Sequence, residues 1–351
     1  LQSSMDLERG PLMKAALFRT AGRNLLFLCL HHLIVDGVSW RILQEDLSTA
    51  LRQVKEGRSI CLPAKTASFK EWAEALEAYK SSRQLQKERT YWEKVMSQME
   101  QGHIAIDECT DDTGFASLEI TLSKEETEQL VHRAGRAFNT EINDLLISAI
   151  GMSVQRLTGQ AVVSVGLEGH GREEIHTKME IDRTVGWFTS MYPIVIECNE
   201  DLHEMIVATK EMLRKVPNHG LGYGVLKQEL PDLAADIHFN YLGQMDAEAK
   251  DHRILFNSSG KSAADENAMF RKINISGGIL QEMLKFTITY DRSKYSAKIM
   301  GRFASMLQDS MRTIILHCLT MDEVAVTLSD THASDLSEDD LQLINSLFDI
   351  E

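Results

Sequence analysis

LFLCLHHLIVDGVSWRIL, Leu26 to Leu43, sets an apolar run against two adjacent histidines, an aspartate and a helix start. Leu25 to His31 reads as a strand apolar on both faces, so a central strand is expected. If that strand continues to position 32, alternation sends His31 and His32 to opposite faces. One imidazole then reaches a cleft while the other packs or hydrogen-bonds inside its own lobe. Histidine titrates near neutrality and serves as a base without an extreme environment. Asp36 is placed either to orient an imidazole or to pair with an arginine and lock the turn. Gly37 permits an unusual backbone angle. Ser39 reads as the cap of a helix on which Trp40, Leu43, Leu47, Leu51 and Val54 share a face. The free N–H groups at that helix start suit developing negative charge. HHLIVD lacks a recognised metal-ligand spacing, so no metal is expected.

The surrounding chain has 351 residues, which fits two packed lobes better than one core. Apolar residues make up 43%, a normal globular share. No window approaches the length of a membrane span, and LQSSMDLER does not open as a signal peptide. A cytoplasmic protein without a membrane partner is expected. The formal charge of -15 argues against a nucleic-acid partner. Cys29, Cys61, Cys109, Cys198 and Cys318 are scattered without a CxxC pair, which predicts reduced thiols.

Alternation of strands and helices predicts a mixed α/β protein. Helical composition runs from Ser68 to about Met99, anchored by Trp72, Leu76, Tyr79, Trp92 and Val95. Gly102 to Gly114 is polar and broken and reads as a linker or crossover. Strands are expected at Ser117 to Leu122, Val162 to Leu167, Ser190 to Ile196, Ile237 to Leu242 and Leu284 to Tyr290. Ser123 with Glu126 has the form of a capping box before a helix to about Phe138. Further helices are expected at Asn143 to Leu157, Leu202 to Val216 and Ser296 to Leu316. The tail carries acidic Asp335 to Asp340, then a helical stripe of Leu341, Ile344, Leu347 and Phe348. It reads as a surface helix or as a docking helix for a partner. The divisions are residues 1–110, 111–330 and 331–351.

A second polar constellation, LEGHGREE, spans Leu167 to Glu174. In an extended backbone Glu168, His170 and Arg172 share a face. A glutamate at a strand end is well placed as an acid or base. Arg172 suits a carboxylate or phosphate anchor. The segment matches neither GxGxxG nor a Walker A motif, so no nucleotide is assigned. Three further segments stand out: DRTVGWFTSMYP (Asp182 to Pro193), PNHGLGYG (Pro217 to Gly224) and FNYLGQ (Phe239 to Gln244). PNHGLGYG reads as a shaped loop near a ligand channel. FNYLGQ puts Asn240 and Tyr241 on a short strand.

Together these segments resemble the condensation superfamily of nonribosomal peptide synthetases. HHLIVDGVSW is similar to its HHxxxDG motif. The appended VSW, with EGHGRE, RTVGWFT, PNHGLGYG and FNYLGQ, resembles the series of its epimerization domains. The resemblance implies an α/β fold of two chloramphenicol-acetyltransferase-like lobes, arranged as a V around a tunnel. It implies a substrate that is an aminoacyl or peptidyl thioester, carried on the 4'-phosphopantetheine arm of a partner carrier domain. That carrier is expected upstream in the same synthetase, and a downstream synthetase is a possible partner for the tail. No cofactor beyond the arm is expected. The reaction implied is L-to-D inversion at Cα. His32 and Glu168 carry over as acid-base groups, with His31, Asp36, Ser39, Arg172, Asn240 and Tyr241 in support. A thioester acidifies the adjacent Cα–H, and inversion removes the proton from one face and returns it to the other. The enolate oxygen needs donors, for which helix N–H groups near Ser39, Asn240 or Tyr241 are candidates. The histidines stand early in the chain for this family, so the first lobe is expected to be incomplete. A peptide-bond-forming condensation domain and a non-catalytic carrier-docking fragment are the competing readings. Condensation needs no second acid-base group, so Glu168 favours the epimerase.

Overall fold

The computed structural model describes residues 1–22, 24–104, 112–175, 179–245 and 272–331. Cys109 and the acidic tail with its helical stripe lie outside these residues. The described chain forms two compact units. The first holds Leu1–Gln86 and Gly169–Ser190. The second holds Lys87–Glu168 and the described residues from Met191 onward. The units interleave along the chain. Among the described residues no helix is long and apolar enough to cross a membrane.

In the first unit β1 (Met13–Arg19) pairs antiparallel with β2 (Asn24–Leu30), from Met13 opposite Leu30 to Arg19 opposite Asn24. Among the described residues β2 has no second neighbour, so the expected central strand is half of a two-stranded sheet. Leu17 is 55% exposed and Leu26 is 48% exposed, and these two sit directly opposite. An apolar run records what a strand can bury, not what covers it. Beyond β2 the chain makes one 3-10 turn, His32–Ile34, and then α1 (Gly37–Lys55). The cap of α1 is Asp36 and not Ser39, because the Asp36 carboxylate accepts from the Ser39 N–H. A capping box of Ser68 and Glu71 starts α2 (Phe69–Tyr79). The stretch of helical composition to Met99 forms two helices, with α2 ending at Tyr79 and α3 (Arg83–Met99) following. At the break the Ser81 and Ser82 N–H groups turn back to the Ala78 and Tyr79 carbonyls.

The second unit is built on a six-stranded sheet. Its elements are β3 (Phe115–Thr121), α4 (Lys124–His132), α5 (Ile142–Thr158), β4 (Val162–Gly169), β5 (Ser190–Glu197), α6 (Leu202–Arg214), α7 (Leu221–Leu226), β6 (Ile237–Gln244), β7 (Ile273–Leu280), β8 (Met283–Asp291) and α8 (Ala297–Thr320). The strand order is β3-β8-β7-β6-β4-β5. Pairs β4/β6 and β6/β7 are parallel, while β7/β8 and β8/β3 are antiparallel. The capping box of Ser123 and Glu126 is present, but α4 stops at His132, and Ala134–Ala137 continue as a 3-10 turn.

Period-two patterning explains the layering. Val163, Val165, Leu167, Ile237, Phe239, Ile273, Ile275, Phe286, Ile288 and Tyr290 are all buried. Cross-strand partners share a face, so these residues form one apolar side of the sheet. Each large side chain buried there contributes about 1.5–3 kcal/mol. Helix α8 packs on β3 and on α5. From Asp144 to Val154 every residue of α5 is buried, so this helix is enclosed on all sides. Its buried Asp144 pairs with Arg214 at 2.8 Å. Burial is the largest influence on Asp144 and raises its pKa even against Arg214.

Candidate functional site

The first unit carries the histidine motif. Strand β2 ends at Leu30, so alternation does not reach the histidines and assigns them no faces. The 3-10 turn separates them instead. His31 is its N-cap, with Nδ1 accepting from the Leu33 N–H at 3.2 Å. His32 opens the turn, is exposed, and makes no side-chain hydrogen bond among the described residues. Its ring meets the edge of Trp187 at 5.2 Å between centroids and 61° between planes. The two neighbours thus differ by local hydrogen bonding: one ring is committed to its own turn, and the other is available.

Asp36 and Arg172 tie two motifs together. Asp36 is 3% exposed. Its Oδ1 accepts from the Ser39 N–H at 2.7 Å and from Arg172 Nη2 at 3.1 Å. Its Oδ2 accepts from the Phe188 N–H at 3.1 Å and from Arg172 Nη2 at 3.2 Å. Arg172 Nη1 donates to the Ile181 and Thr184 carbonyls, each at 2.8 Å. The guanidinium lies 3.9 Å over the Phe188 ring, and its side chain is only 6% exposed. Burial lowers the Arg172 pKa from its usual value, and the Asp36 carboxylate opposes this. Of the two readings open for Asp36, pairing with an arginine is the one realised. Arg172 is occupied by protein groups and not presented to a substrate anion.

Ser39 is fully buried, donating to the Gly186 carbonyl at 2.9 Å and accepting from the Gly186 N–H at 3.0 Å. Its own N–H is taken by Asp36 and is not open to an enolate. Gly171 has φ +66°, and a Cβ there would lie 1.7 Å from the Phe188 carbonyl oxygen. The glycines of EGHGRE thus allow Arg172 to swing under the RTVGWFT segment. His170 Nδ1 accepts from the Arg172 N–H at 3.0 Å, and Gly171 has positive φ, so the chain leaves the extended form after β4 ends at Gly169.

The second unit carries Glu168. It stands at the end of β4, half-buried, with Oε2 accepting from Asn240 Nδ2 at 2.5 Å. Asn240 belongs to β6, the parallel neighbour of β4, and the pair extends the register of Leu167 with Phe239. Tyr241 alternates to the other face of β6, where its ring meets Phe286 at 6.4 Å. Tyr241 is therefore not brought to Glu168. Burial raises its pKa, so the phenol keeps its proton. Sequence reasoning missed His238, which shares the Glu168 and Asn240 face. A Cβ on Gly166 would lie 2.4 Å from His238 Nε2, so the imidazole fills the place of an absent side chain. The signal was a glycine in a strand two residues before the glutamate.

PNHGLGYG, expected as a shaped loop, forms a 3-10 turn at Pro217–Gly220 and the start of α7. Asn218 and His219 have φ of 43° and 44°, and Asn218 donates to Glu88 at 2.7 Å. Tyr223 packs on Trp92 at 5.2 Å. A cavity of about 1170 Å³ lies among α3, α6 and Met321–Leu328, and none of the quoted motifs supplies most of its lining. Among the described residues no three His, Cys, Asp or Glu side chains converge as metal ligands would.

Comparison with known proteins follows the same motifs. The condensation domain family matches residues 1–337. Surfactin synthase subunit 1 of Bacillus subtilis (strain 168) is 39% identical, over 99% of this chain and 10% of its own length. Tyrocidine synthase 1 of Brevibacillus parabrevis is 38% identical, over 99% of this chain and 34% of its own length. The chain thus spans between about a tenth and a third of these relatives. Among solved structures, the epimerization domain from the third module of tyrocidine synthetase B aligns with a TM-score of 0.83 at 37% identity. That alignment covers 92% of this chain and 75% of that one. The first condensation domain of the CDA synthetase aligns at 0.66 and 19% identity, over 86% of this chain and 67% of that one, a likeness of fold alone. The expected mixed α/β, chloramphenicol-acetyltransferase-like fold is the fold of these neighbours.

Proposed function

This chain belongs to the condensation-domain family, and from that premise we propose that it inverts the Cα of a carrier-bound aminoacyl or peptidyl thioester. Condensation-superfamily domains of nonribosomal peptide synthetases are enzymes, and the finer assignment rests on one observation. Glu168 is a half-buried carboxylate at a strand end, held by the Asn240 amide. Peptide-bond formation has no use for it. Inversion does, because a proton must leave one face of Cα and return to the other.

In this reading the two acid-base groups are His32 and Glu168. The base takes the Cα proton, and the C–H electron pair delocalises onto the thioester oxygen as an enolate. The second group, protonated at the start, returns a proton to Cα. Atoms and charge balance, and exchanging the roles runs the reaction backwards. Trp187 limits where the His32 ring can swing. Asp36, Arg172 and Ser39 hold the turn that presents His32, and none of them carries the proton. Asn240 keeps Glu168 in position. The domain binds no cofactor of its own, since the 4'-phosphopantetheine arm belongs to the carrier domain.

The test is to load a carrier domain with an L-aminoacyl or L-peptidyl thioester in D2O and add the protein. Deuterium at Cα and a mixed L/D product are expected. His32→Ala and Glu168→Gln should each slow exchange by roughly 10²- to 10⁴-fold, the usual weight of general acid-base catalysis. A new peptide bond with an added acceptor, without Cα exchange, would replace this reading with condensation.

A further inference from the structure

Neither His32 nor Glu168 lines the cavity of about 1170 Å³ among α3, α6 and Met321–Leu328, whose lining residues all belong to the second unit. Its apolar lining includes half-buried Val207 and Met212 on α6, and Val324 and Val326, which are 54% and 44% exposed. Apolar side chains grouped in a concave, exposed place mark a site for another chain or a ligand. The volume exceeds the roughly 300–1,000 Å³ of a small-molecule site. Exposed Lys94 and Lys215 stand in the lining with exposed Glu197, Glu204 and Glu323, so charges of both signs are present and no strongly charged ligand is favoured. A peptide segment with one apolar face fits both the size and the charge.

The chain itself supplies such a segment. Leu328 lines the groove, and the residues after it are pinned to α6. The Ser329 N–H donates to Glu211 Oε1 at 3.0 Å, and Lys210 Nζ donates to Asp330 Oδ2 at 2.6 Å. Residues 332–351 follow Thr331, and their sequence sets Leu341, Ile344, Leu347 and Phe348 at helical spacing after acidic Asp335 to Asp340. Wound as a helix, that stripe is about 10 Å long, against about 18 Å for the α6 lining from His203 to Lys215. The link from Thr331 to Leu341 reaches about 35 Å at most, so the stripe can return to the helix that anchors it. A short link also holds it at an effective concentration on the order of 1 mM, at which a weak apolar contact suffices.

We propose that the stripe Leu341, Ile344, Leu347 and Phe348 seats intramolecularly in this groove, on Val207, Met212, Val324 and Val326. The acidic run stays in the link, outside the apolar contact. This seating does not depend on the epimerase reading. A seated stripe is withheld from any other protein, so docking to a partner has to displace it first.

The experiment is hydrogen–deuterium exchange of the full chain, read by mass spectrometry. A helix this short is marginal in water on its own, so slow exchange over residues 341–348 requires a surface to pack on. Those amides should exchange at least about tenfold more slowly than in a free peptide of residues 332–351. Val324→Asp with Val326→Asp leaves the tail sequence intact and should abolish the protection. Ile344→Ser with Leu347→Ser should abolish it as well, and should speed exchange over residues 321–328. The tail variant alters no described residue, so it decides the matter if the groove variant fails to melt at the parent's temperature. An unprotected tail in the parent overturns the proposal. So does protection that survives the groove variant in a protein that melts normally, or a tail variant that leaves exchange over 321–328 unchanged. Protection that fades on dilution would assign the tail to the groove of a second copy, which also overturns it.

Discussion

Asp36 shows how one buried charge fixes a motif. It caps α1, receives the Phe188 N–H and faces the Arg172 guanidinium. Replacing it with alanine removes a cap and leaves Arg172 buried without its anion. Breaking a buried pair in this way costs about 3–5 kcal/mol, far more than an exposed pair. Urea unfolding of Asp36→Ala should therefore show a large loss of stability. Asp36→Ala combined with Arg172→Met should lose less than Asp36→Ala alone, because no orphaned charge remains. If the double variant is the less stable of the two, the charge pair is not what holds the turn. The sequence reveals that Asp36 has two possible uses, and it names arginine as one partner type. It does not reveal which arginine, because the partners lie 136 residues apart and only folding brings them together. Alternation separates the two histidines only if the strand reaches His32, and it ends two residues short, at Leu30. A single hydrogen bond from Leu33 to His31 does that work instead.

Among elements, the long periodic helices and most of the apolar strands were legible, and β1 and β7 were not. Ile273 and Ile275 alternate with Asn274 and Ser276, but Gly277 and Gly278 then interrupt the strand signal. Both glycines are required by close backbone approach: a Cβ would lie 1.9 Å from the Lys285 carbonyl oxygen at Gly277 and 2.5 Å from the Gly243 carbonyl oxygen at Gly278. What weakens the signal in sequence is what allows the strand to pair. The last described turn, Leu328–Asp330, is held by a contact equally invisible in sequence. Lys210 on α6 is 1% exposed and donates to Asp330 at 2.6 Å and to the Phe138 carbonyl at 2.8 Å. Burial works to raise the Asp330 pKa, but donors from Lys210, the Thr327 N–H and Asn139 outweigh it and hold the carboxyl below its usual range. A carboxylate depressed in the fold contributes stability above its unfolded value and loses it as pH falls through the folded value. Asp330→Asn should cost about 3 kcal/mol or more at neutral pH, since it leaves a buried lysine short of its anion. That deficit should shrink as the pH is taken below the usual aspartate value of about 3.9. Urea midpoints of both proteins across that range measure it, and a deficit independent of pH would exclude the ion pair as the clamp.

The whole molecule combines a strong net charge with a sheet whose apolar side chains are exposed among the described residues. The formal charge is -15 at neutral pH, and the sequence pI is about 5.3. Charge of this size keeps molecules apart, and the protection vanishes near the pI. What remains there is the surface of β1 and β2, where Met13, Leu17, Phe18 and Leu26 are all close to half exposed. A two-stranded sheet with no further strand partner among the described residues and with exposed apolar side chains is a template for association. Light scattering should therefore rise as the pH approaches about 5.3. Lowered charge alone would also produce a rise, so the cause must be separated from the condition. Leu17 and Leu26 sit directly opposite one another, which makes the separation possible. Leu17→Lys with Leu26→Glu adds one charge of each sign, leaves the net charge at neutral pH unaltered, and places an opposite-charge pair across the strands. If the apolar sheet drives association, scattering near the pI should fall several-fold in this variant at the same protein concentration. Its melting temperature should stay close to that of the parent, because exposed cross-strand substitutions of this kind change stability little. Scattering unchanged in the variant would assign the association to charge neutralisation and clear the sheet of any part in it.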